Sequence, residues 1–428
     1  DPDVPCDSNG HGTHTTGTMV GYDGADNQVG MAPDAVWMAC RSLLDPVLGV
    51  GTVPTYMDCM EWQLAPYPTG DTAAADPAMA PDVVSNSWGC LEACAPPLLQ
   101  DVNEAIKAAG IVQVVSAGND GSDCSTILFP LAVYESSFSV GANDVNEEMA
   151  SFSSRGPVLS DASMRLKPNV TAPGVDTRSA WNDGDYNTIS GTSMSGPHVA
   201  GLIALVMSAE PRLIGRVDDV RKLVELSAVQ TITTVQTCGG TTVSDIPNNI
   251  TGWGRVDALN AVTMRPQLTM EVLSPASAKV GEDYAVTVRI SQPATGKIDA
   301  TNIAYSIALP ANSTLVDCDF GCSTGPEAGV TELGGSIPKL SPGESYTENL
   351  VLRGGSAGEL VVSVTSEADQ VSPGAAVTGK TLVGGGSGLV TGPVTGVADN
   401  GRFGGGALGG LLLALLGVGA LMRRRSLV

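Results

Sequence analysis

Residues 190–201 read SGTSMSGPHVAG and run straight into the apolar stretch GLIALVMSA (201–209). Ser193 or Thr192 caps a helix there if its side-chain oxygen accepts an orphan backbone N–H. The glycines then serve close packing. A sharper reading makes one serine a nucleophile, held at a helix N-terminus where developing negative charge is favoured. A hydroxyl is a weak nucleophile without a base beside it, so the stretch read alone needs no more than the cap. Whether it carries chemistry depends on a base, an orienting acid and an oxyanion hole elsewhere in the chain.

The chain has 428 residues, too many for one ordinary domain. It has neither an initiator Met nor a signal peptide, so a fragment or a processed form is expected. The net charge of −23 argues against nucleic acid as a partner, because that needs a basic face. It fits a self-repelling exterior. Residues 403–422, FGGGALGGLLLALLGVGALM, carry no charge and precede Arg423, Arg424 and Arg425. That length suits a transmembrane helix, and the arginines should stay cytoplasmic. Everything N-terminal would then lie outside the cytoplasm, where disulfides are the default for at least some of the nine cysteines.

Residues 1–264 read as α/β. AVWMAC (35–40), DVVSNS (82–87) and IVQVVSA (111–117) are short continuous apolar runs, as expected for strands buried on both faces. Between the last two, Leu98, Val102, Ala105, Ile106 and Ala109 share one helical face and Gly110 marks a stop. Strand, helix, strand implies a parallel unit. From 265 the texture changes. Tyr284, Val286, Val288 and Ile290 alternate with other residues, as do Ile303, Tyr305, Ile307 and Leu309, then Leu360, Val362 and Val364. This predicts an antiparallel, immunoglobulin-like sandwich over 265–383. Residues 384–402 read as a linker, and 403–428 as a C-terminal signal containing the helix.

The only histidines are His11, His14 and His198. His11 and His14 are spaced to share a helix face, but a metal site needs further ligands, and His198 lies in another apolar segment. No metal is assigned. One histidine is better used as a base for Ser193. In VQVVSAGNDG (112–121), a buried strand ends at Ala117, Gly118 and Asn119. Binding sites collect beyond strand ends in such sheets. Asn119 is either a turn residue or an amide donor to an oxyanion. SNSWG (85–89) ends another strand, and the backbone of Ser87, Trp88 and Gly89 is either an ordinary turn or an edge for an extended peptide.

In this order, HGTH, SWG, SAGN and GTSMSGPHVAG resemble the subtilisin-like serine peptidases. SFSSRGP (151–157), KPNVTAPGV (167–175) and GWGRVDALNAV (252–262) extend the resemblance over residues 1–264. YMDCMEWQLAP (56–66), APDVVSNSWGC (80–90) and Cys94 give a narrower likeness to the bacillopeptidase F-like branch. The resemblance implies His11 as general base, Ser193 as nucleophile and Asn119 as oxyanion donor. His14 and His198 then have structural roles. Ser87–Gly89, Ala117 and Gly118 would line the substrate cleft. No cofactor is required for such chemistry. The family commonly carries structural calcium, and no residue here is assigned to it, although loops such as YDGADN (22–27) are acidic.

One departure matters. The family's acid lies in a D-[ST]-G-type motif well upstream of the His, and only ten residues precede His11. Asp7 matches a separate local Asp of the family's pattern, and Asp1 and Asp3 lack the motif. The acid is therefore expected upstream of residue 1, and the chain alone is expected to be inactive. Seven cysteines lie in this domain, an odd number that fits a missing partner. Cys318 and Cys322 could close a small loop in the second domain. The tail resembles the bacterial GlyGly-type sorting signal, which implies membrane insertion through 403–428 before processing by a rhomboid-like protease. The expectation is an exported bacterial serine endopeptidase acting on proteins or peptides. The rival is a surface-displayed binding or adhesion protein with an inactive peptidase domain.

Overall fold

The computed structural model describes residues 6–43, 45, 50–89, 95–319, 327–328, 331–384 and 397–399. The N-terminal part begins with α1 (His11–Val20), α2 (Val53–Leu64), β1 (Val83–Asn86), α3 (Gln100–Ala108), β2 (Val112–Ser116), β3 (Phe138–Asn143) and β4 (Val170–Pro173). It continues with the hairpin β5 (Thr177–Ala180) and β6 (Tyr186–Ile189), then α4 (Thr192–Ala209) and α5 (Val217–Ser227). A small hairpin, β7 (Thr237–Cys238) and β8 (Thr241–Thr242), and α6 (Ala258–Thr263) complete it.

Strands β1, β2, β3 and β4 form one parallel sheet in that order. The sheet is covered on both faces, so β2 reads as a nearly unbroken apolar run with Val112, Val114 and Val115 buried. Its one polar member inside, Gln113, is buried because the side chains of Asn86 and Gln63 bond its amide. Helix α4 packs across all four strands and also against α1 and α6. It is apolar nearly all round, as a helix enclosed by neighbours must be.

Two expectations fail here. AVWMAC (35–40) forms no strand, and Val36, Trp37 and Met38 are 99%, 54% and 37% exposed. Among the described residues β1 is an edge strand, so this run has no neighbour to bury against. The face of α3 is also displaced. Leu99, Asn103 and Ile106 are buried, whereas Ala105 and Ala109 face solvent. Asn103 can sit inside because its amide donates to the hydroxyls of Ser136 and Ser137. Two exposed methyls forfeit little.

Residues 269–383 fold as two packed sheets. The strands are β9 (Thr269–Leu273), β10 (Ser277–Ala278), β11 (Asp283–Ser291), β12 (Ala300–Ala308) and β13 (Ser313–Cys318). They continue with β14 (Glu327–Ala328), β15 (Glu332–Leu340), β16 (Ser345–Gly354), β17 (Gly358–Glu367) and β18 (Val377–Val383). One sheet runs β10-β18-β17-β12-β15, and the other β14-β13-β16-β11-β9, closed at its edge by β19 (Val397–Asp399). The residues of period two on β11, β12 and β17 form the shared core. Pairing is antiparallel except between β10 and β18, which run parallel. The stretch read as a linker thus contributes a strand, because β9 has a free edge that 397–399 can pair with.

The sheets sit against the C-terminal end of α4. Glu210, 5% exposed, accepts hydrogen bonds from the Ser372 amide (3.1 Å) and hydroxyl (2.6 Å). Arg212 pairs with Glu367 and Arg216 with Asp369. Ile298, from the turn before β12, packs into the core of the N-terminal part.

Disulfides join Cys40 to Cys59 and Cys124 to Cys238, and Cys318 is also disulfide-bonded. Cys6 is exposed and unpaired among the described residues. Cys90, Cys94, Cys322, most of 384–402 and all of 403–428 lie outside the described residues. No helix among the described residues is long and apolar enough to cross a membrane.

Candidate active site

Helix α1 opens at His11. Gly10 before it has φ +92°, and the Trp181 ring lies 2.5 Å from where a Cβ would stand, so only glycine fits. Asp7 caps the helix from outside. Its Oδ1 accepts from the amides of Asn9 (3.0 Å) and Gly10 (2.9 Å). Its Oδ2 accepts from the Thr13 amide and hydroxyl, both at 2.8 Å. Burial works to raise this carboxyl, but the hydrogen bonds from Gly10, Thr13 and Asn9 outweigh it and hold it below its ordinary value. A carboxylate committed to four donors is a structural cap, not an orienter of His11.

His11 is partly buried. Burial first, then His14, pushes its imidazole below the ordinary value, against a smaller opposing pull from Asp7. The ring is therefore neutral at pH 7, the form that accepts a proton. His14 is fully buried, donates from Nε2 to the Thr177 carbonyl (3.0 Å) and stands edge-on to Trp181. His198 bonds through Nδ1 to the Met194 carbonyl (2.8 Å) within its own helix. Both are held by packing and backbone.

Helices α1 and α4 lie side by side. The Met19 carbonyl comes within 3.2 Å of the Cβ position of Gly201, and His14 is close enough to His198 to depress its protonation. The helices therefore run in the same sense, and their first turns, holding His11 and Ser193, lie at one end. Ser193 is the second residue of α4. Pro197, four residues on, has no N–H for the Ser193 carbonyl, and the Ser87 hydroxyl donates to that carbonyl instead (2.9 Å). In return the Ser193 hydroxyl donates to the Ser87 carbonyl at 3.3 Å. This pair of bonds fixes the start of α4 against the end of β1.

Asn119 follows β2. Its Oδ1 accepts from the Thr192 amide and hydroxyl, both at 2.9 Å. The acceptor end is thereby committed, and Nδ2 faces the other way. Nδ2 of Asn119 and the amide of Ser193 lie 3.5 Å and 3.7 Å from the point where a Cβ on Gly191 would stand. Met194 Sδ lies 3.7 Å from the same point. Two donors this near one point beside the nucleophile can serve an oxygen that gains negative charge. The helix dipole of α4 adds to the same field.

Beside Ser193 is a cleft of about 250 Å³ lined by Trp88, Gly89, Ala117, Gly118 and Asn119, among others. Ser87, Trp88, Gly89, Ala117, Gly118, Asn119 and Ser193 are thus brought to one place. Trp88 is held by stacking on Tyr56 at 3.9 Å, and the Tyr56 hydroxyl donates to the Gly89 carbonyl (3.2 Å). Sequence reasoning missed Thr192 as the holder of Asn119. It also missed the far wall, Phe129, Pro130 and Ala132, and the acid Asp120. The hydroxyl next to the serine was the one available signal for Thr192. A larger cavity of about 340 Å³ lies among Glu135, Arg221, Glu225 and Trp253 and shares no residue with this cleft. Among the described residues no cluster of His, Cys, Asp and Glu is arranged to hold a metal.

Known proteins resemble this chain over its N-terminal part. Residues 1–254 match the model of the subtilase family, Peptidase S8. Bacillopeptidase F of Bacillus subtilis (strain 168) is 37% identical over 265 residues, 60% of this chain and 17% of that protein. Subtilisin DY of Bacillus licheniformis is 38% identical over 209 residues, 48% of this chain and 66% of that protein. The solved structure of a cold-adapted subtilisin-like serine proteinase matches at 28% identity with a TM-score of 0.39, covering 52% of this chain and 69% of that one. The chain spans less than two thirds of either curated relative, 17% and 66% of their lengths. With its family model covering more than half of the 428 residues, the chain belongs to the subtilase family.

Proposed function

We propose that this chain is the peptidase and accessory part of an exported bacterial serine endopeptidase. Ser193 attacks a peptide carbonyl while His11 takes its proton. The Asn119 amide and the Ser193 N–H hold the tetrahedral oxygen. His11 then protonates the leaving amine, and water releases the acyl-enzyme. The substrate is a protein or peptide lying extended beside Ser87–Gly89, as an added strand does. The observation that carries this reading is the placement of Asn119 Nδ2 and the Ser193 amide within 3.5 Å and 3.7 Å of one point beside the nucleophile.

The orienting acid comes from a strand upstream of residue 1 that pairs with the free edge of β1. Three observations support this. Asp7 is fully used as a cap. The β1 edge has no partner among the described residues. Val36, Trp37 and Met38 stand exposed. Disulfides at Cys40–Cys59 and Cys124–Cys238 support export to an oxidising compartment. The two-sheet domain is immunoglobulin-like, and 403–428 is a membrane-inserted sorting signal removed by a rhomboid-like protease. Calcium would be structural only.

The test is labelling. A serine-directed fluorophosphonate should modify Ser193 alone in the protein extended upstream, and Ser193→Ala should abolish both labelling and peptide hydrolysis. Labelling that survives the substitution overturns the assignment. Labelling of the chain without its upstream strand should be far slower, because the acid fixes the His tautomer.

A further inference from the structure

Strands β1 and β2 end beneath the first turns of α4. Val83 and Val114 face that helix and share a core with its Val199 and Leu202. Side chains two residues further along a strand point the same way, which turns Ser85, Ser87 and Ser116 toward the helix as well. They meet it at Gly196. A Cβ on Gly196 would stand 3.6 Å from the Ser87 hydroxyl and 3.8 Å from those of Ser85 and Ser116. Outside the helix's own backbone these three oxygens are the nearest heavy atoms to that point. The hydroxyl oxygens of Ser85 and Ser116 are shut off from solvent and bond no protein group among the described residues. Ser87 gives its one proton to the Ser193 carbonyl, the acceptor that Pro197 leaves free. Its lone pairs can still accept. Three buried hydroxyls thus surround one point under the helix of the nucleophile, and native interiors pair such groups.

We propose that one water molecule is built into this point, and that Ser85 and Ser116 act through it as positioning residues for Ser193. The water itself follows from the hydroxyls; its effect on turnover rests on the peptidase reading above. The surroundings suit water rather than an ion, because three neutral hydroxyls supply the two to four polar partners that a buried water takes and bring no charge. Its room is the space that a side chain on Gly196 would occupy. Ser85 and Ser116 donate to the water. The water donates to Ser87, whose own proton goes to the Ser193 carbonyl. A chain of this kind strengthens each bond in it, and here it ends on the residue whose hydroxyl and amide do the chemistry. The carbonyl that the helix cannot satisfy from within is thereby held from the sheet.

The experiment uses the full-length protein. A crystal structure fine enough to show ordered solvent should place an oxygen within about 2.5–3.0 Å of at least two of the three hydroxyls. No oxygen there, or hydroxyls turned away to other partners, overturns the inference. Gly196 supplies a second test. Alanine fits, since no listed neighbour stands closer than 3.6 Å, but its methyl takes the room of the water. Serine takes the same room and brings a hydroxyl of its own. Helix propensity alone ranks alanine above serine. A water at this point reverses that order: Gly196→Ser should melt above Gly196→Ala, and its Ser193 should react with a fluorophosphonate about fivefold faster, the worth of one hydrogen bond. Ser85 is not among the residues that line the cleft, so Ser85→Ala should lower kcat by a similar factor and leave KM unchanged. Gly196→Ala equal to or better than Gly196→Ser, or a Ser85→Ala effect confined to KM, overturns the positioning role. A parent protein that neither labels nor cleaves overturns the peptidase reading, while the solvent density and the melting order still decide the water.

Discussion

Asn119 is useful only if its amide faces one way, and Thr192 decides that. With Oδ1 taken by two donors from Thr192, rotating the amide would place Nδ2 against those donors and lose both bonds. Asn119→Ala should therefore leave folding intact and lower turnover by about 10²–10³, the magnitude known for removing one such donor in a subtilisin, a relative of this chain. Thr192→Val removes the hydroxyl donor but keeps the backbone one, so its loss should be smaller and appear in kcat rather than KM. The ionisable groups inside make a second prediction. His11, His14 and His198 all have depressed protonation, with burial the leading cause. Lys167 is fully buried, and burial first, then Arg221, lowers it to about 7. For each, the unfolded chain binds a proton at a higher pH than the folded one, so stability rises with pH across that interval. The histidines should weaken the protein as pH falls through about 6.5, and Lys167 as pH falls from about 10.5 toward 7. Melting temperature followed from pH 5 to pH 10 should climb. A flat profile would mean these groups are solvated or paired differently.

At the scale of elements, the site depends on how closely two helices approach. Gly201 is where α4 meets α1 and the turn after it. A Cβ there would stand 2.5 Å from Met31 Cβ and 3.2 Å from the Met19 carbonyl. Gly201→Ala should push the helices apart and cost about 1–3 kcal/mol of stability, read from denaturant unfolding. It should also lower turnover, since His11 and Ser193 ride on those helices. A variant as stable as the parent would mean the gap is wider than described. Patterns that depend on neighbours close in sequence were legible beforehand. Val286, Val288 and Ile290 alternate because β11 has one buried face, and β2 reads apolar because it has two. AVWMAC has the same texture as β2 but no strand beside it, and composition cannot register an absent neighbour. Asn103 defeated the reading of α3 because hydrophobic periodicity counts every amide as outside, whereas two serine hydroxyls make this one affordable inside. In the site, the serine, the amide and the histidine were visible as types. The bond from Thr192 to Asn119 spans 73 residues of sequence.

At the scale of the whole molecule, the two parts are fastened together at several points. Glu210, the residue that ends α4, is bonded by Ser372 from the sheet domain, and Arg212 and Arg216 reach Glu367 and Asp369. The helix that carries Ser193 in its first turn is thus gripped at its far end by the second domain. A further tie is covalent. Cys124, just after Asn119 and Asp120, is joined to Cys238, 114 residues later, and the ring so closed contains all of α4. If the protein is the peptidase proposed above, it is exposed to its own kind, and surface turns such as 159–164 are open to attack. A single cut inside the ring frees no fragment. Aged preparations should therefore run as one band on a denaturing gel without reductant and split into two when a thiol is added. Fragments that separate without reductant would place the cut outside 124–238. Damage inside the ring would leave size-based purity checks unchanged, and the molecule would age without appearing to.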